Sequence, residues 1–408
     1  MSYADLDFDL TPEERAQRDL ARRFGAEVMR PAGIALDRMP DPAQVIAKGS
    51  PLWDVVRQHR ELGLHRRGLP EAVGGLLDGA TPMSSFVITE ELGYADAGLA
   101  ISLGVAAHPF RYAAMSDDAE MRGWARDFCA DTTGELIGCW GVTEPDHGSD
   151  WISAPQPDFD AKSAPNVKAR LVGDEYILNG QKSAWVSNGT IATHAALHLS
   201  LDPAQGMHGT GICVLPLDLP GISRGPALDK IGQRPLNQGE IYFHDVRVPR
   251  KYMVVPDTAA ATTALRTILT GANTGMSILF AGLAKAAFDE ALTYARERVQ
   301  GGVAIFEHQN IKLKLMHMFD QVEAARSLSR RVFLHNSARP PGSVPHAMAA
   351  KIRSTQTAFD VAAEAIQVFG GVGLTREYPI EKIFRDAKAS MIEDGENSAL
   401  ALTGAVFL

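Results

Sequence analysis

A stretch that combines glycine, threonine and serine at residues 139–150 (CWGVTEPDHGSD) has the composition of a ligand-binding loop. Thr143, Gly148 and Ser149 come at the end of a β-branched stretch. A loop of this kind offers backbone N–H groups and hydroxyls to the polar edge of a ligand or to a phosphate. Because Gly, Ser and Asp are also common in plain turns between strands, the residues alone leave both interpretations open.

A second segment, residues 178–189 (LNGQKSAWVSNG), combines a turn signal with an aromatic residue. Asn179-Gly180 predicts a β-hairpin turn, and Trp185 then lies among residues typical of a strand. A flat indole is suited to stacking on a flat ring system, although a lone tryptophan is more often a core residue. The sequence therefore offers Trp185 either as a ligand contact or as part of the core.

Three acidic residues near the C-terminus, Glu393, Asp394 and Glu396, lie within four positions of one another. Neighbouring carboxylates raise one another's pKa because each disfavours the charged form of the others. A raised pKa suits a general base that works near neutral pH. For Glu393 and Glu396 we prefer the simpler interpretation that they are solvated charges at a helix end.

Several common catalytic signatures are missing from the sequence. There is no GxGxxG after a strand, no P-loop, no HExxH and no GxSxG, and the twelve histidines show no metal-ligand spacing with the cysteines. A nicotinamide-binding Rossmann domain, a kinase, a metalloprotease and a serine hydrolase are therefore disfavoured.

The elements that must position these residues fall into three stretches. We expect a helical domain at residues 1–133, a strand-rich domain at 134–250 and a helical bundle at 251–408. Thr11-Pro12 predicts the start of the first helix, with Thr11 as the N-cap. The predicted helices of the bundle are residues 281–298, 309–336 and 345–369. The predicted strands include 167–172, 176–178, 211–215 and 239–243.

Composition sets further limits on function. The 408 residues are 45% hydrophobic and carry a net charge of -9, which argues against a nucleic-acid-binding surface. Three cysteines without a CxxC pair indicate reduced thiols in the cytoplasm. The acidic N-terminus lacks the apolar core of a secretory signal. The sequence contains no uninterrupted apolar run of about 18 residues, so no membrane span is predicted.

The two central segments, together with motifs spread over essentially the whole chain, resemble the acyl-CoA dehydrogenase family. The further motifs are LGL at 62–64, LPEAVGG at 69–75, DKIGQR at 229–234, FHDVRVP at 243–249, QVFGGVG at 367–373 and RDAK at 385–388. The resemblance implies an α+β multidomain fold: an N-terminal helical domain, a central β-barrel-like domain and a C-terminal four-helix bundle.

The resemblance also implies FAD as cofactor, bound between the β domain and the bundle. By match, the flavin and substrate mouth is lined by Trp140, Val142, Thr143, Gly148 and Ser149, and the flavin ring is flanked by Trp185 and Ser187. The family positions that reach the FAD of a neighbouring subunit are Arg298, Gln309, Gln367 and Gly371. Arg298 would face the pyrophosphate. This sharing implies a homo-oligomer, either a dimer or a tetramer.

The implied reaction is dehydrogenation of an acyl-CoA thioester to a 2-enoyl-CoA, with an electron-transferring flavoprotein as electron acceptor. A carboxylate removes the α-proton while a hydride leaves the β-carbon for the flavin. Asp394 occupies the position of the family's usual glutamate base. A branch of the family places its glutamate elsewhere, at the position of Ala272, so Asp394 is the candidate base in this chain.

The match departs from the family's pattern at several positions. Aspartate is about 1.5 Å shorter than glutamate, and a misplacement of about 1 Å can cost about a hundredfold in rate. Asn273 replaces an arginine that helps to hold CoA, and Gly301 replaces a phenylalanine. Glu396 replaces a threonine in the set of cofactor-binding positions. Lys182 and Trp185 are one residue further apart than usual, which a β-bulge would absorb.

These departures leave two alternatives to a dehydrogenase. The aspartate and the missing arginine are compatible with a flavin oxidase or monooxygenase of the same fold that acts on a substrate without CoA. The changes at Gly301 and Glu396 are compatible with a non-catalytic homologue.

Overall fold

The computed structural model describes residues 9–153, 164–256 and 258–408, without the side chains of residues 258–263 and 265. Parts of the predicted N-terminal and central domains, residues 1–8 and 154–163, lie outside the described residues. The first stretch is helical as predicted: α1 Pro12–Phe24, α2 Arg30–Asp37, α3 Pro42–Val45, α4 Pro51–Glu61, α5 Pro82–Ala95, α6 Ala97–Val105, α7 His108–Ala114 and α8 Ala119–Ala130.

Helix α1 begins where the sequence predicts it. Thr11 Oγ1 accepts the backbone N–H of Glu14 at 3.2 Å, and Glu14 Oε2 accepts the backbone N–H of Thr11 at 2.9 Å. These reciprocal bonds satisfy N–H groups that have no partner within the helix. The prediction of an N-cap at Thr11 is therefore confirmed.

The middle stretch forms a mostly antiparallel sheet. Its described strands are β1 Gly138–Gly141, β2 Lys168–Val172, β3 Glu175–Ser187, β4 His194–Ser200, β5 Thr210–Pro216, β6 Ile222–Arg224, β7 Gln238–Pro249 and β8 Met253–Val255. Their order in the sheet is β6-β7-β3-β2-β4-β5-β8, and β1 pairs with β4 in parallel. The loop after β1 therefore leaves the sheet beside β4.

The prediction of a hairpin turn at Asn179-Gly180 is wrong. The chain turns instead at residues 173–174, where Val172 of β2 pairs with Glu175 of β3. Asn179 and Gly180 lie inside β3, where the register against β7 shifts between Leu178 and Gly180. Gly180 has a φ of 133°, which a glycine adopts without steric cost, so the dipeptide here marks a bulge.

The bulge expected between Lys182 and Trp185 is confirmed. Lys182 pairs with Ile241 of β7, whereas Val186 pairs with Gly239, so four steps along β3 match two along β7. Ala184, inside this bulge, has a φ of 43°. The extra residues push the backbone of 183–185 out of the ladder, and Trp185 lies on this outward segment.

The last stretch returns to helix: α9 Thr258–Glu297, α10 Gln309–Ala338, α11 Val344–Phe369, α12 Ile380–Ser390 and α13 Asn397–Ala405, with a short hairpin of β9 Val299–Gln300 and β10 Val303–Ala304. The predicted helices at 309–336 and 345–369 are confirmed. The helix predicted from residue 281 begins at Thr258. Packing against other helices outweighs the weak helix propensity of the Thr, Gly and Asn residues in its first half.

Two glycines allow α5 and α9 to approach closely. A Cβ on Gly93 would lie 2.1 Å from the carbonyl oxygen of Leu279, and one on Gly282 would lie 2.2 Å from that of Glu90. Any larger residue at either position would push the helices apart. The N-terminal helices and the bundle consequently share one large core, which includes Phe24, Leu99 and Phe280.

The stretch Arg266–Glu297 of α9 is long and apolar enough to cross a membrane, by length and composition alone. However, 72% of its most apolar window is buried inside the protein. That burial is typical of the central helix of a folded bundle, which passes the same test of length and hydropathy.

A buried ionic group joins all three stretches of the chain. Lys382 of α12 donates to Asp96 Oδ2 at 2.6 Å and to Asp386 Oδ2 at 2.5 Å. Asp96 caps α6 through the backbone N–H of Leu99, and Asp386 Oδ1 accepts the backbone N–H of Gln233 from the loop before β7. Burial opposes a charged ammonium, but the two carboxylates outweigh it and raise the pKa of Lys382.

We expect Lys382→Met to destabilise the protein strongly, because it leaves the carboxylates of Asp96 and Asp386 buried without a cation. Breaking a buried pair costs roughly 3–5 kcal/mol. Lys312→Met is the matched control, since the Lys312–Glu307 pair is exposed and such pairs contribute about 1 kcal/mol or less. Thermal unfolding of both variants measures the difference, and equal melting temperatures would contradict the expectation.

Candidate functional site

Trp140 lies on β1 in a group of aromatic rings. Its Nε1 donates to Nε2 of His198 at 2.9 Å, and its ring lies 4.8 Å from that of His108. Burial lowers the pKa of His198 to about 3, so its ring is neutral at physiological pH and Nε2 can accept this bond. The indole is thereby held in one orientation, at the start of the loop that the sequence singled out.

A buried ion pair fixes that loop. Lys182 Nζ donates to Glu144 Oε1 at 2.6 Å and to the carbonyl oxygen of Val142 at 2.8 Å. Glu144 in turn accepts the backbone N–H of Val167 at 3.0 Å. Burial lowers the pKa of Lys182 to about 8 although Glu144 opposes the shift. The loop is thus held in one conformation by a specific buried contact.

The same loop lies against the bulge of β3. The backbone N–H of Ser183 donates to the carbonyl oxygen of Thr143 at 3.0 Å, and Thr143 Oγ1 donates to the carbonyl oxygen of Ser183 at 3.2 Å. Trp185 follows within two residues, and it is 58% exposed. The alternative that Trp185 is a core residue is therefore wrong. Gln238 Nε2 donates to both Trp185 O and Ser187 Oγ at 3.3 Å.

Ser149 joins this surface to the C-terminal acidic segment. Its Oγ accepts the backbone N–H of Glu396 at 3.0 Å. The exposed Gly148 precedes it, and the 3-10 turn Ser149–Ser153 that follows buries Trp151 and Ile152 against Leu400. Candidate residues from the central and C-terminal stretches consequently meet at one place.

Asp394 lies in the loop between α12 and α13. It has a φ of 50°, and the following Gly395 has a φ of 101°. A left-handed conformation is uncommon for residues other than glycine, and it requires support from the surrounding structure. Lys351 of α11 gives that support by donating to the carbonyl oxygen of Gly395 at 2.8 Å and to Asn397 Oδ1 at 3.0 Å.

The acids of this loop have different environments. Burial raises the pKa of Glu393 to about 7, against a 2.6 Å hydrogen bond from Gln233 Nε2. Burial also raises the pKa of Asp394, and Lys351 opposes that shift. The interpretation of Glu393 as a solvated charge is wrong, because the segment folds back onto Gln233. The raised pKa of Asp394 suits a general base near neutral pH.

Glu396 caps the N-terminus of α13. Its carboxylate accepts the backbone N–H groups of Ser398 at 2.9 Å and Ala399 at 3.1 Å, as the N-cap of α13. These bonds lower its pKa, and they occupy the side chain that would otherwise be available to a cofactor. The link from this position to the candidate site is its backbone N–H on Ser149.

The remaining candidates form a second group at the far ends of the bundle helices. Arg298 directly follows α9, Gln309 opens α10, Gln367 is near the end of α11, and Gly371 lies in the turn after it; all are exposed. Tyr294 of α9 stacks on Phe369 of α11 with ring centroids 4.2 Å apart. That contact draws the ends of α9 and α11 together, so Arg298 lies near the 367–371 segment.

The departures at Gly301 and Asn273 have local explanations. Gly301 and Gly302, with φ of 67° and 85°, form the turn between β9 and β10, which favours glycine at both positions. Asn273 is buried, and its Nδ2 donates to the carbonyl oxygen of Leu269 in its own helix at 2.9 Å. Ala272, next to it on α9, carries no carboxylate.

The residue types present fit FAD. The exposed indole of Trp185 offers a face for a flat ring, and the hydroxyls of Thr143, Ser149 and Ser187 offer polar contacts for its edges. The exposed Arg298 of the second group has the fork geometry that suits a pyrophosphate. The sequence did not point to Lys351 and Gln233. They bond the acidic loop from α11 and from the loop before β7, respectively.

Comparison with protein families finds all three parts of one family in order. The chain matches the acyl-CoA dehydrogenase N-terminal domain at residues 11–115, the middle domain at 139–246 and the C-terminal domain at 262–405. These matches together cover most of the chain.

Individual relatives match over nearly their whole length. A short-chain specific acyl-CoA dehydrogenase of Megasphaera elsdenii is 29% identical over 99% of this chain and 100% of its own. A probable acyl-CoA dehydrogenase of Bacillus subtilis is 30% identical over 96% of both chains. The solved structure of butyryl-CoA dehydrogenase from M. elsdenii, at 28% identity, has a TM-score of 0.83 and covers 98% of this chain and 99% of that one.

We expect Lys182→Met to lower the affinity for FAD, because it leaves the Glu144 carboxylate buried and unpaired and releases the carbonyl of Val142. The loop before Ser149 would then lose its fixed shape, at a cost of roughly 3–5 kcal/mol in stability. The FAD content of purified protein and its release on dilution measure the effect. Lys168→Met on β2, where the lysine is exposed, is the control and should retain FAD; equal retention in both variants would contradict the role.

Proposed function

Because the chain belongs to the acyl-CoA dehydrogenase family, whose members are FAD-dependent oxidoreductases, we propose that it converts an acyl-CoA thioester to the 2-enoyl-CoA with Asp394 as the base. The observation that carries the proposal is the bond between Ser149 Oγ and the backbone N–H of Glu396. It brings the acidic loop against the segment proposed to line the flavin.

In this mechanism the protein positions the reacting bond and removes one proton. FAD, when bound, supplies the acceptor for the hydride that leaves the β-carbon. Asp394 takes the α-proton of the thioester, and its raised pKa makes it a stronger base than an ordinary aspartate. Trp185, Thr143 and Ser149 hold the ring and exclude water from the mouth.

The relatives guide the choice of substrate. Those named as short-chain specific and butyryl-CoA dehydrogenases make butyryl-CoA the first substrate to test. The shorter reach of aspartate favours a substrate whose α-carbon lies closer to the loop than a straight chain would require, so branched and cyclic acyl-CoAs follow in the panel.

An electron-transferring flavoprotein is the proposed acceptor of the electrons. One solved structure is described as that of the electron-transferring flavoprotein of Acidaminococcus fermentans. It contains a chain that is 28% identical to this one, with a TM-score of 0.81 over 98% of both chains. We also propose a cytoplasmic location, since Cys129, Cys139 and Cys213 are free thiols.

A second candidate is an oxidase or monooxygenase that acts on a substrate without CoA. It is favoured by Asn273, whose amide bonds its own helix at a position where the resemblance places a CoA-holding arginine. Rapid peroxide formation during turnover in air would support this candidate. Flavin that is reduced by an acyl-CoA and then ignores oxygen would support the dehydrogenase.

We expect Asp394→Asn to retain FAD and to lose turnover by about 10²–10⁴-fold, the usual contribution of a positioned base. Bleaching of the flavin absorbance by the acyl-CoA panel, followed by stopped flow, measures it. Asp394→Glu should also be slower than the wild type if the site is built for the shorter side chain. Asp360→Asn, on the outer face of α11, is the control. Full activity in Asp394→Asn would refute the base, and an unbleached wild type with FAD bound would refute the dehydrogenase.

We further propose that the FAD site is shared between copies in a homo-oligomer, with Arg298 contributing from a second copy. The exposure of Arg298, Gln309, Gln367 and Gly371 in one chain supports the proposal. Arg298→Ala should weaken FAD binding about tenfold or more, because it removes a charge-assisted contact to the pyrophosphate.

Fluorescence titration of the apoprotein with FAD, combined with light scattering, tests this prediction. Arg126→Ala, an exposed arginine on α8, is the matched control and should bind FAD like the wild type. A monomeric wild type that binds FAD fully would contradict the shared site.

A further inference from the structure

Helix α11 carries a lysine in its interior face. Lys351 is 0% exposed and lies among small residues of the same face, Ala347, Ser354 and Thr355. Burying an ammonium group is unfavourable unless its donors find partners. The position therefore requires acceptors that are strong and correctly placed.

Those acceptors lie directly after Asp394 in the chain. Lys351 Nζ donates to Gly395 O at 2.8 Å and to Asn397 Oδ1 at 3.0 Å. Asn397 Nδ2 also donates to Thr355 Oγ1 at 3.0 Å. Lys351 and Thr355 lie one helical turn apart on α11, so two residues of the same helix hold Asn397. The next backbone N–H, that of Glu396, is held by Ser149 Oγ at 3.0 Å.

Asp394 is held in a conformation that its own sequence does not favour. Its φ of 50° and the 101° of Gly395 fix the direction in which the carboxylate leaves the backbone. An isolated loop would leave the left-handed region for the more populated ones. The bond from Lys351 to the carbonyl of Gly395 resists that change, because rotating the 394–395 backbone would move this carbonyl away from Nζ.

The ammonium is also a cation that faces the acids of the loop. Lys351 interacts with Glu393, Asp394 and Glu396, and Glu393 is faced in addition by Lys230 from the central stretch. Burial raises the pKa of Asp394, whereas the charge of Lys351 lowers it. Removing that charge would raise the pKa further, so a larger share of Asp394 would be protonated at neutral pH.

We propose that Lys351 is the positioning residue of the base: it fixes the backbone of Asp394 and places a buried cation beside the acids of the loop. This inference rests on the proposed function for its kinetic consequence. Lys351 itself contacts neither the substrate nor the cofactor in this scheme, and it acts entirely through the 394–397 loop.

The test compares Lys351→Met, Lys351→Arg and Thr355→Val in the FAD-loaded protein. We expect Lys351→Met to reduce the rate of flavin reduction by about a hundredfold through misplacement of the base. The rising limb of its pH–rate profile should move up by about one pH unit. KM should change by less than about threefold, because the substrate contacts remain.

The other two variants separate geometry from charge. Lys351→Arg should restore the pH limb, since the charge is kept, while leaving a lower rate. Thr355→Val removes the support of Asn397 without removing the charge, so it should lower the rate and leave the pH limb in place. Lys314→Met, at the partly exposed pair with Glu364, is the control. FAD content and circular dichroism identify any variant that fails to fold.

A substrate-free measurement keeps this inference distinct from the proposed function. Infrared titration of the FAD-loaded protein, with the Asp394→Asn spectrum subtracted, follows the carboxylate of Asp394 directly. We expect its midpoint to lie higher in Lys351→Met than in the wild type. Unchanged midpoints would overturn the role of Lys351, whether or not any acyl-CoA reduces the flavin. A wild type that no acyl-CoA reduces would overturn only the proposed function.

Discussion

The contact of Lys382 with Asp96 and Asp386 is the interaction on which the candidate site depends. It ties α6 to α12, and Asp386 extends the tie to Gln233 in the loop before β7. Gln233 then donates to Glu393, directly before Asp394. A single buried cation thus sets the position of the acidic loop relative to both the sheet and the N-terminal helices. A hydrophobic contact could not do this, because burial of apolar surface has no preferred direction.

Irregular backbone around the site is held by lysines throughout. Lys182 donates to the carbonyl of Val142, Lys230 to that of Leu236, and Lys351 to that of Gly395. Burial lowers the pKa of each of these lysines to about 8. Carbonyls outside helices and sheets have no regular partner, and a buried one must still be satisfied. An ammonium group supplies several donors from one atom, so it can hold a backbone carbonyl and a side-chain oxygen together.

The sequence predicted most of the fold, because long periodic helices and a capped start leave clear patterns, as at Thr11 and residues 309–336. It failed where one dipeptide has two structural uses: Asn179-Gly180 suits a hairpin turn and a bulge equally, and only the pairing of β3 with β7 decides between them. The early start of α9 was missed because its residues have weak helix propensity and packing overrides it.

The candidate site was only partly predictable. The segments with Thr143, Trp185 and Asp394 stand out by composition, whereas the contacts that fix them come from distant elements. Gln233 is 160 positions before Glu393, so no local sequence pattern indicates the hydrogen bond between them. Lys351 did leave a signal, since it interrupts a helix face of small residues. A charged residue at such a position requires a partner, although the sequence does not say which one.

The departures from the family's pattern have unequal consequences. Gly301 meets the needs of a hairpin turn, and Glu396 meets those of a helix cap, so both are local structural choices. Asn273 and Asp394 differ in kind, because each removes reach toward a ligand: the amide of Asn273 is bonded to its own helix, and Asp394 is one methylene short. Under the proposed function, both changes therefore bear on which substrate fits, whereas those at Gly301 and Glu396 bear on local folding.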